Sequence, residues 1–135
     1  MEPGRSPTFT VNAMSVDPAL GDVLAEREYE AIHAGASEPR KVVLRIGKPR
    51  IAPHQDGAWV CPAQILGIGE DNVLEAAGID AVQALHLAMV RAGARLTYPP
   101  KGLTITWLGG SDLGLPVLDP NVAALDFSEV DDSEL

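Results

Sequence analysis

Residues 56–71 read DGAWVCPAQILGIGED and hold the single cysteine, one of two tryptophans, and a Gly-x-Gly followed by two acids. Three readings compete for this segment: a nucleotide-binding loop, a reactive-thiol site, and the buried middle of a sheet. Asp56-Gly57 is a strong turn signal, and an apolar run follows it. As a strand, that run puts Trp59, Cys61, Ala63 and Ile65 on one face and Val60, Pro62, Gln64 and Leu66 on the other. Pro62 has no N–H to give to a ladder, so it marks an edge position or a bulge. GIGED is then the turn that leaves the strand.

The flanks fit a sheet. KVVLRIG, 41–47, alternates Val42, Leu44 and Ile46 against Lys41, Val43 and Arg45. In AEREYEAIH, 25–33, Glu26, Glu28 and Glu30 alternate with Arg27, Tyr29 and Ala31. That reads as a strand, with a short helix as competitor because Ala, Glu and Arg are helix formers. GASEP, 35–39, joins the two as a hairpin. EDNVLEAAG, 70–78, reads as a short strand, with a helical turn as its competitor. LTITWLGG, 103–110, alternates Leu103, Ile105 and Trp107 against Thr104, Thr106 and Leu108.

One segment has helical periodicity. Asp80 suits an N-cap and Gln83 sits at N3, close to a capping box. Val82, Leu85, Met89, Ala92 and Leu96 then form one stripe. Arg91 and Arg95 fall in the last turns, where cations suit the helix dipole. Gly93 either ends the helix or is tolerated within it, and Pro99-Pro100 stops it. The sum is an α+β fold: an antiparallel sheet of four or five strands with one main helix, about 80–96, packed on one face. Trp59 and Cys61 are expected to pack the sheet against that helix.

The 135 residues suit one domain. Residues 1–20 read as a flexible arm broken by Pro3, Gly4, Pro7 and Pro18, residues 21–118 as the domain, and 119–135 as a largely disordered tail. Of the net charge of −9, −6 sits in the tail, which leaves −3 for residues 1–118. That balance argues against nonspecific nucleic-acid binding, which needs Lys and Arg to neutralise phosphates. Aromatics are 4%, so the core must be mostly Val, Leu, Ile and Ala. A lone cysteine forms no internal disulfide, and no run has the length of a signal peptide or membrane span. The expectation is a cytoplasmic protein.

No chemistry-bearing motif is complete. GIGEDN, 67–72, has Asn72 where the dinucleotide fingerprint needs its third glycine, and Glu70 and Asp71 would repel phosphate. Cys61 lacks a base at diagnostic spacing, although His33, His54 and His86 are present. There is no C-x-x-C, H-E-x-x-H or close His pair, so no metal or cofactor is expected. GGSDLG, 109–114, misses the G-x-S-x-G elbow because Leu113 stands at the last glycine position. Trp107, Ser111 and Asp112 remain as ligand or partner contacts. Arg40, Lys41, Arg45, Lys48 and Arg50 fall in a stretch without acids, read as one solvated strand face and its loop. Arg45 and Arg50 are its candidate contacts for an acidic partner or for the protein's own tail. Val122, Leu125, Phe127 and Val130, set among the tail's acids, have the mix of a short docking segment.

Residues 41–117 resemble a family of small bacterial proteins of unknown function. The resemblance rests on KVVLRIGKPR, the W-x-C-P of Trp59, Cys61 and Pro62, the GIG turn, GIDAVQALHLA, and TWLGGSDLG-x-P. It implies a sheet with one helix on one face and supplies no catalytic residue. A looser similarity links the chain to the HicB-like antitoxin fold through Gly78, Asp80, Ala84 and Leu85 at the helix start. The DNA-binding half of that fold is not evident. The leading expectation is a non-catalytic protein-binding module of the immunity or antitoxin kind. The rivals are a small-molecule binder or enzyme with a site at Trp59, Trp107, Ser111 and Asp112, and a structural homodimer subunit paired through a sheet edge.

Overall fold

The computed structural model describes residues 17–53 and 57–117. The elements run β1 (Val23–His33), β2 (Arg40–Gly47), β3 (Arg50–Ile51), β4 (Trp59–Leu66), β5 (Val73–Gly78), α1 (Ala81–Thr97) and β6 (Leu103–Thr106). All pairings are antiparallel within one six-stranded sheet. Its spatial order is β5, β4, then β2 with β3, then β1, then β6. The expected α+β class is the one formed, with a strand over Val73–Gly78 of the 70–78 segment and 25–33 within a strand in a hairpin with β2.

β2 and β3 act as one bent ribbon along β4. Ile46 pairs with Ala63, yet Arg50 pairs with Val60. One strand advances four residues while the other advances three, which is a β-bulge at 47–49. The Glu75 carbonyl, opposite Pro62 on β5, points away from β4 and accepts from Arg91 Nη1. The missing N–H of Pro62 therefore faces the bulge. Of the two readings of this proline the bulge holds, and the edge does not, because β4 has neighbours on both sides. The Cys61 thiol donates to the Gly47 carbonyl at 3.4 Å and so meets an acceptor that the proline cannot serve.

The helix starts as its sequence demands. Asp80 Oδ1 accepts from the Gln83 amide at 2.9 Å, and Gln83 Oε1 accepts from the Ile79 amide at 2.6 Å. Its buried line, however, is Ala84, Ala88, Ala92 and Leu96. Val82, expected on the buried stripe, is 75% exposed, and Leu85 and Met89 lie at its margins. Alanines bring the helix axis close to the sheet, where a larger residue would hold it off. At the end of β5 a β-carbon on Gly78 would lie 2.5 Å from the Ala84 nitrogen. Cys61, Ala63, Ile65 and Ala76 face this line, with Trp59 packed beside them.

The helix covers β5, β4 and part of β2. Residues 107–117 cover the rest of that face, with Leu113 and Leu115 joining the core. Gly93 lies inside the helix, and Leu115 packs over it at ordinary contact distance, 3.4 Å from where a β-carbon would be. On the opposite face Val43, Arg45, Val60 and Gln64 are buried. Leu20 is fully buried there, its carbonyl against Gly47. Residues 1–16 of the expected arm lie outside the described residues, and 17–20 form a turn. No helix among the described residues is long and apolar enough to cross a membrane.

Candidate functional site

β1 is paired very differently on its two sides. It has 11 residues, of which β2 engages Val23 and the run from Ala25 to Ala31, while β6 engages only Glu30, Ala31, Ile32 and His33. The Ala34 amide donates to the Gly102 carbonyl at 2.7 Å, which fixes the parity of the ladder. Even residues of β1 turn their N–H and C=O toward β6, and odd residues turn theirs toward β2. The backbone groups of Glu26 and Glu28 thus point outward, where no strand among the described residues meets them. Nearer the start of β1 the register with β2 shifts between Val23 and Ala25.

Side chains add a charge pattern to this edge. Alternation places Glu26, Glu28, Glu30 and Ile32 on the face away from the helix. β2 meets the acids with cations. Arg45 Nε donates to Glu26 Oε2 at 2.8 Å, and Lys41 Nζ lies 3.6 Å from Glu28 Oε2. Arg45 is buried, so its carboxylate partner offsets the desolvation of the guanidinium. The basic stretch is therefore not one solvated face: register turns Arg45 inward, and sequence alone does not show that register. Glu26 and Glu28 stay about half exposed, at 45% and 52%.

The other face of the same edge carries a clamp. Arg27 stacks over the Trp107 ring at 3.9 Å, and the Tyr29 ring centroid lies 6.5 Å from it. Arg27 Nη1 donates to the carbonyls of Leu113 and Gly114 at 3.2 and 2.9 Å, and the Tyr29 hydroxyl donates to Leu113 at 2.8 Å. Burial raises the Tyr29 hydroxyl above its ordinary 10.0, with Arg27 opposing. The strand expected to reach residue 110 stops at Thr106. Trp107 and Gly110 exchange backbone hydrogen bonds at 3.0 and 2.9 Å, and the turn between them holds Leu108 at φ 54 and Gly109 at φ 83. This is the geometry of a type I′ hairpin turn, with a leucine where Asn or Gly is usual. A half-open cavity of about 490 Å³ lies beside it, lined by Glu28, Tyr29, Glu30, Arg40, Lys41 and Trp107 among others.

The expected site residues do not converge. Trp107 follows β6, while Trp59 starts β4, with β2 and β1 between those strands. Register also puts them at opposite ends of the ribbon, since Trp59 pairs with Ile51 and Thr106 with Glu30. Ser111 is exposed, and Asp112 Oδ1 accepts from the Gly114 amide at 2.9 Å within its own loop. Arg50 pairs with Glu75 at 2.9 Å. Burial pushes the Cys61 thiol from 9.0 up to about 11, against a smaller opposing effect of Arg50, which makes it a poor nucleophile. In the GIGED turn Arg95 pairs with Glu70, and Gln64 Nε2 donates to the Asp71 carbonyl at 2.6 Å. His54, Asp56 and the tail residues Val122, Leu125, Phe127 and Val130 lie outside the described residues. Among the described residues no cluster of His, Cys, Asp and Glu has metal-binding geometry. The alternation of glutamates was visible in the sequence, but the open edge was not, because it depends on the mismatch between an 11-residue strand and a four-residue neighbour.

Comparison with known proteins gives a family and no activity. A family model described as a domain of unknown function (DUF6968) matches residues 25–117, more than half of the chain, and the chain belongs to that family. No curated protein and no solved structure matches.

Proposed function

We propose that this chain, a member of the DUF6968 family, is a non-catalytic protein-binding module that takes an extended partner segment onto the outer edge of β1. The observation that carries this reading is the pair of outward backbone groups at Glu26 and Glu28, next to a strand that ends four residues along. An unpaired edge supplies donors and acceptors at strand spacing, which is how β-strand addition gains its affinity. The Arg27–Trp107 clamp holds one side of that edge rigid, so little order has to be gained on binding. An immunity or antitoxin role in a bacterial cytoplasm, with the acidic tail as a second docking element, is the setting this reading favours. Support for a small-molecule site narrows to the cavity beside Trp107, which Trp59 does not reach.

The test uses Glu28→Pro. Even residues of β1 donate outward, so the substitution removes an unused N–H and leaves the β1–β2 ladder intact. The variant should keep the wild-type melting temperature to within a few degrees. It should also lose a partner that the wild type retains from host lysate. A partner retained equally by both proteins would move the interface elsewhere.

A further inference from the structure

We infer that the segment added at β1 is cationic, with Lys or Arg at alternate positions. This rests on the strand-addition reading above. The argument comes from the other side of the same strand. Glu26, Glu28 and Glu30 form a row on one face of β1, and β2 answers it with Arg45 and Lys41. A strand on the outer edge meets the same row from the opposite side, at the same spacing of about 4.8 Å. The Glu26 and Glu28 carboxylates meet β2 through Oε2. Both are half exposed and can accept a second cation. A copy of β1 is the wrong occupant. Antiparallel pairing about a twofold axis at Arg27 would set Glu26 against Glu28 of the other chain, and like charges directly opposite repel. An acidic strand fails for the same reason. Ile32, 40% exposed, follows the acids on this face and offers apolar contact at one end of a short segment.

The probes are three end-capped extended peptides of alternating sequence: Lys-Val, Thr-Val and Glu-Val. Binding to the full-length protein is followed by fluorescence anisotropy, with light scattering to count copies. The Lys-Val peptide should bind about tenfold tighter than Thr-Val, since two exposed ion pairs contribute modestly. That advantage should vanish near 1 M salt, where the Debye length is about 3 Å. Glu28→Gln should cut the Lys-Val over Thr-Val preference several-fold. Glu26 is left in place, because its loss would strip buried Arg45 of an ion pair. Glu28→Pro should weaken all three peptides. Equal binding of Lys-Val and Thr-Val, both lost in Glu28→Pro, would overturn the cationic assignment and leave strand addition standing. Binding that ignores Glu28→Pro, or no binding by any peptide, would overturn both. A dimer whose formation blocks Lys-Val would make a second copy the occupant instead.

Discussion

β4 and β1 are strands of one sheet with opposite surroundings. β4 has a partner on each edge, and all of its interior residues are buried. β1 has a full partner on one edge only, and its burial pattern shows just Tyr29 and Ala31 enclosed. The two strands also break their regularity differently. β4 faces a bulge that accommodates Pro62 and satisfies a carbonyl with a thiol, so the irregularity is closed inside the sheet. β1 has its irregularity at the free end near Leu24, beside open backbone. A strand whose polar groups are all met inside the protein reads as scaffold, and one that leaves a run of them at the surface has capacity to bind.

The largest effect should come from the enclosed side. Leu44 is almost fully buried in the core and pairs across to Arg27. Leu44→Ala should cost about 2–5 kcal/mol in denaturant unfolding. Leu24→Ala on the open strand should stay within about 0.5 kcal/mol. Comparable losses at both positions would mean that the edge of β1 is covered.

Next comes the bulge. Cys61→Ala removes the donor to the Gly47 carbonyl and should cost about 1–3 kcal/mol. The thiol's pH effect has a definite sign. Its folded value of about 11 lies above the ordinary 9.0, so its contribution is fully present below pH 9 and is lost as pH rises through 11. Tyr29, also raised, adds a loss in the same direction above 10.0. Cys61→Ala should flatten the decline between 9.0 and 11, measured as urea midpoint against pH.

Arg27→Ala should come third, at about 1–2 kcal/mol, through loss of the ring stacking and the two carbonyl contacts. Trp107 emission should shift to the red as the 107–114 loop loosens. An unchanged spectrum would show that the loop is held from elsewhere. The smallest effect should be a gain. Leu108 is 88% exposed and sits in the left-handed region, so Leu108→Asn should raise stability by about 0.5–1 kcal/mol. A loss there would mean that the leucine packs against something in solution.

Much of this arrangement was legible in the sequence. The period-2 pattern of 41–47, the Asp80–Gln83 cap and the GIG turn each depend on residues within a few positions, and each forms as read. The helix stripe was misplaced because periodicity weights bulky residues such as Val82, whereas the contact is set by how closely Ala84, Ala88 and Ala92 let two backbones approach. The basic stretch was misread because Arg45 meets Glu26 through strand register, 19 residues away. Trp59 and Trp107 lie apart for a topological reason: sheet order separates strands that alternation alone cannot rank. The open edge belongs to the same class, since only the pairing shows that β6 stops short.

Amide hydrogen exchange along β1, read residue by residue by NMR on the free protein, tests the central claim most directly. Arg27 and Tyr29 donate to β2 and should exchange slowly, whereas Glu26 and Glu28 point outward and should exchange orders of magnitude faster. Slow exchange at all four amides would show the outer edge of β1 already paired, and would contradict a binding role for it.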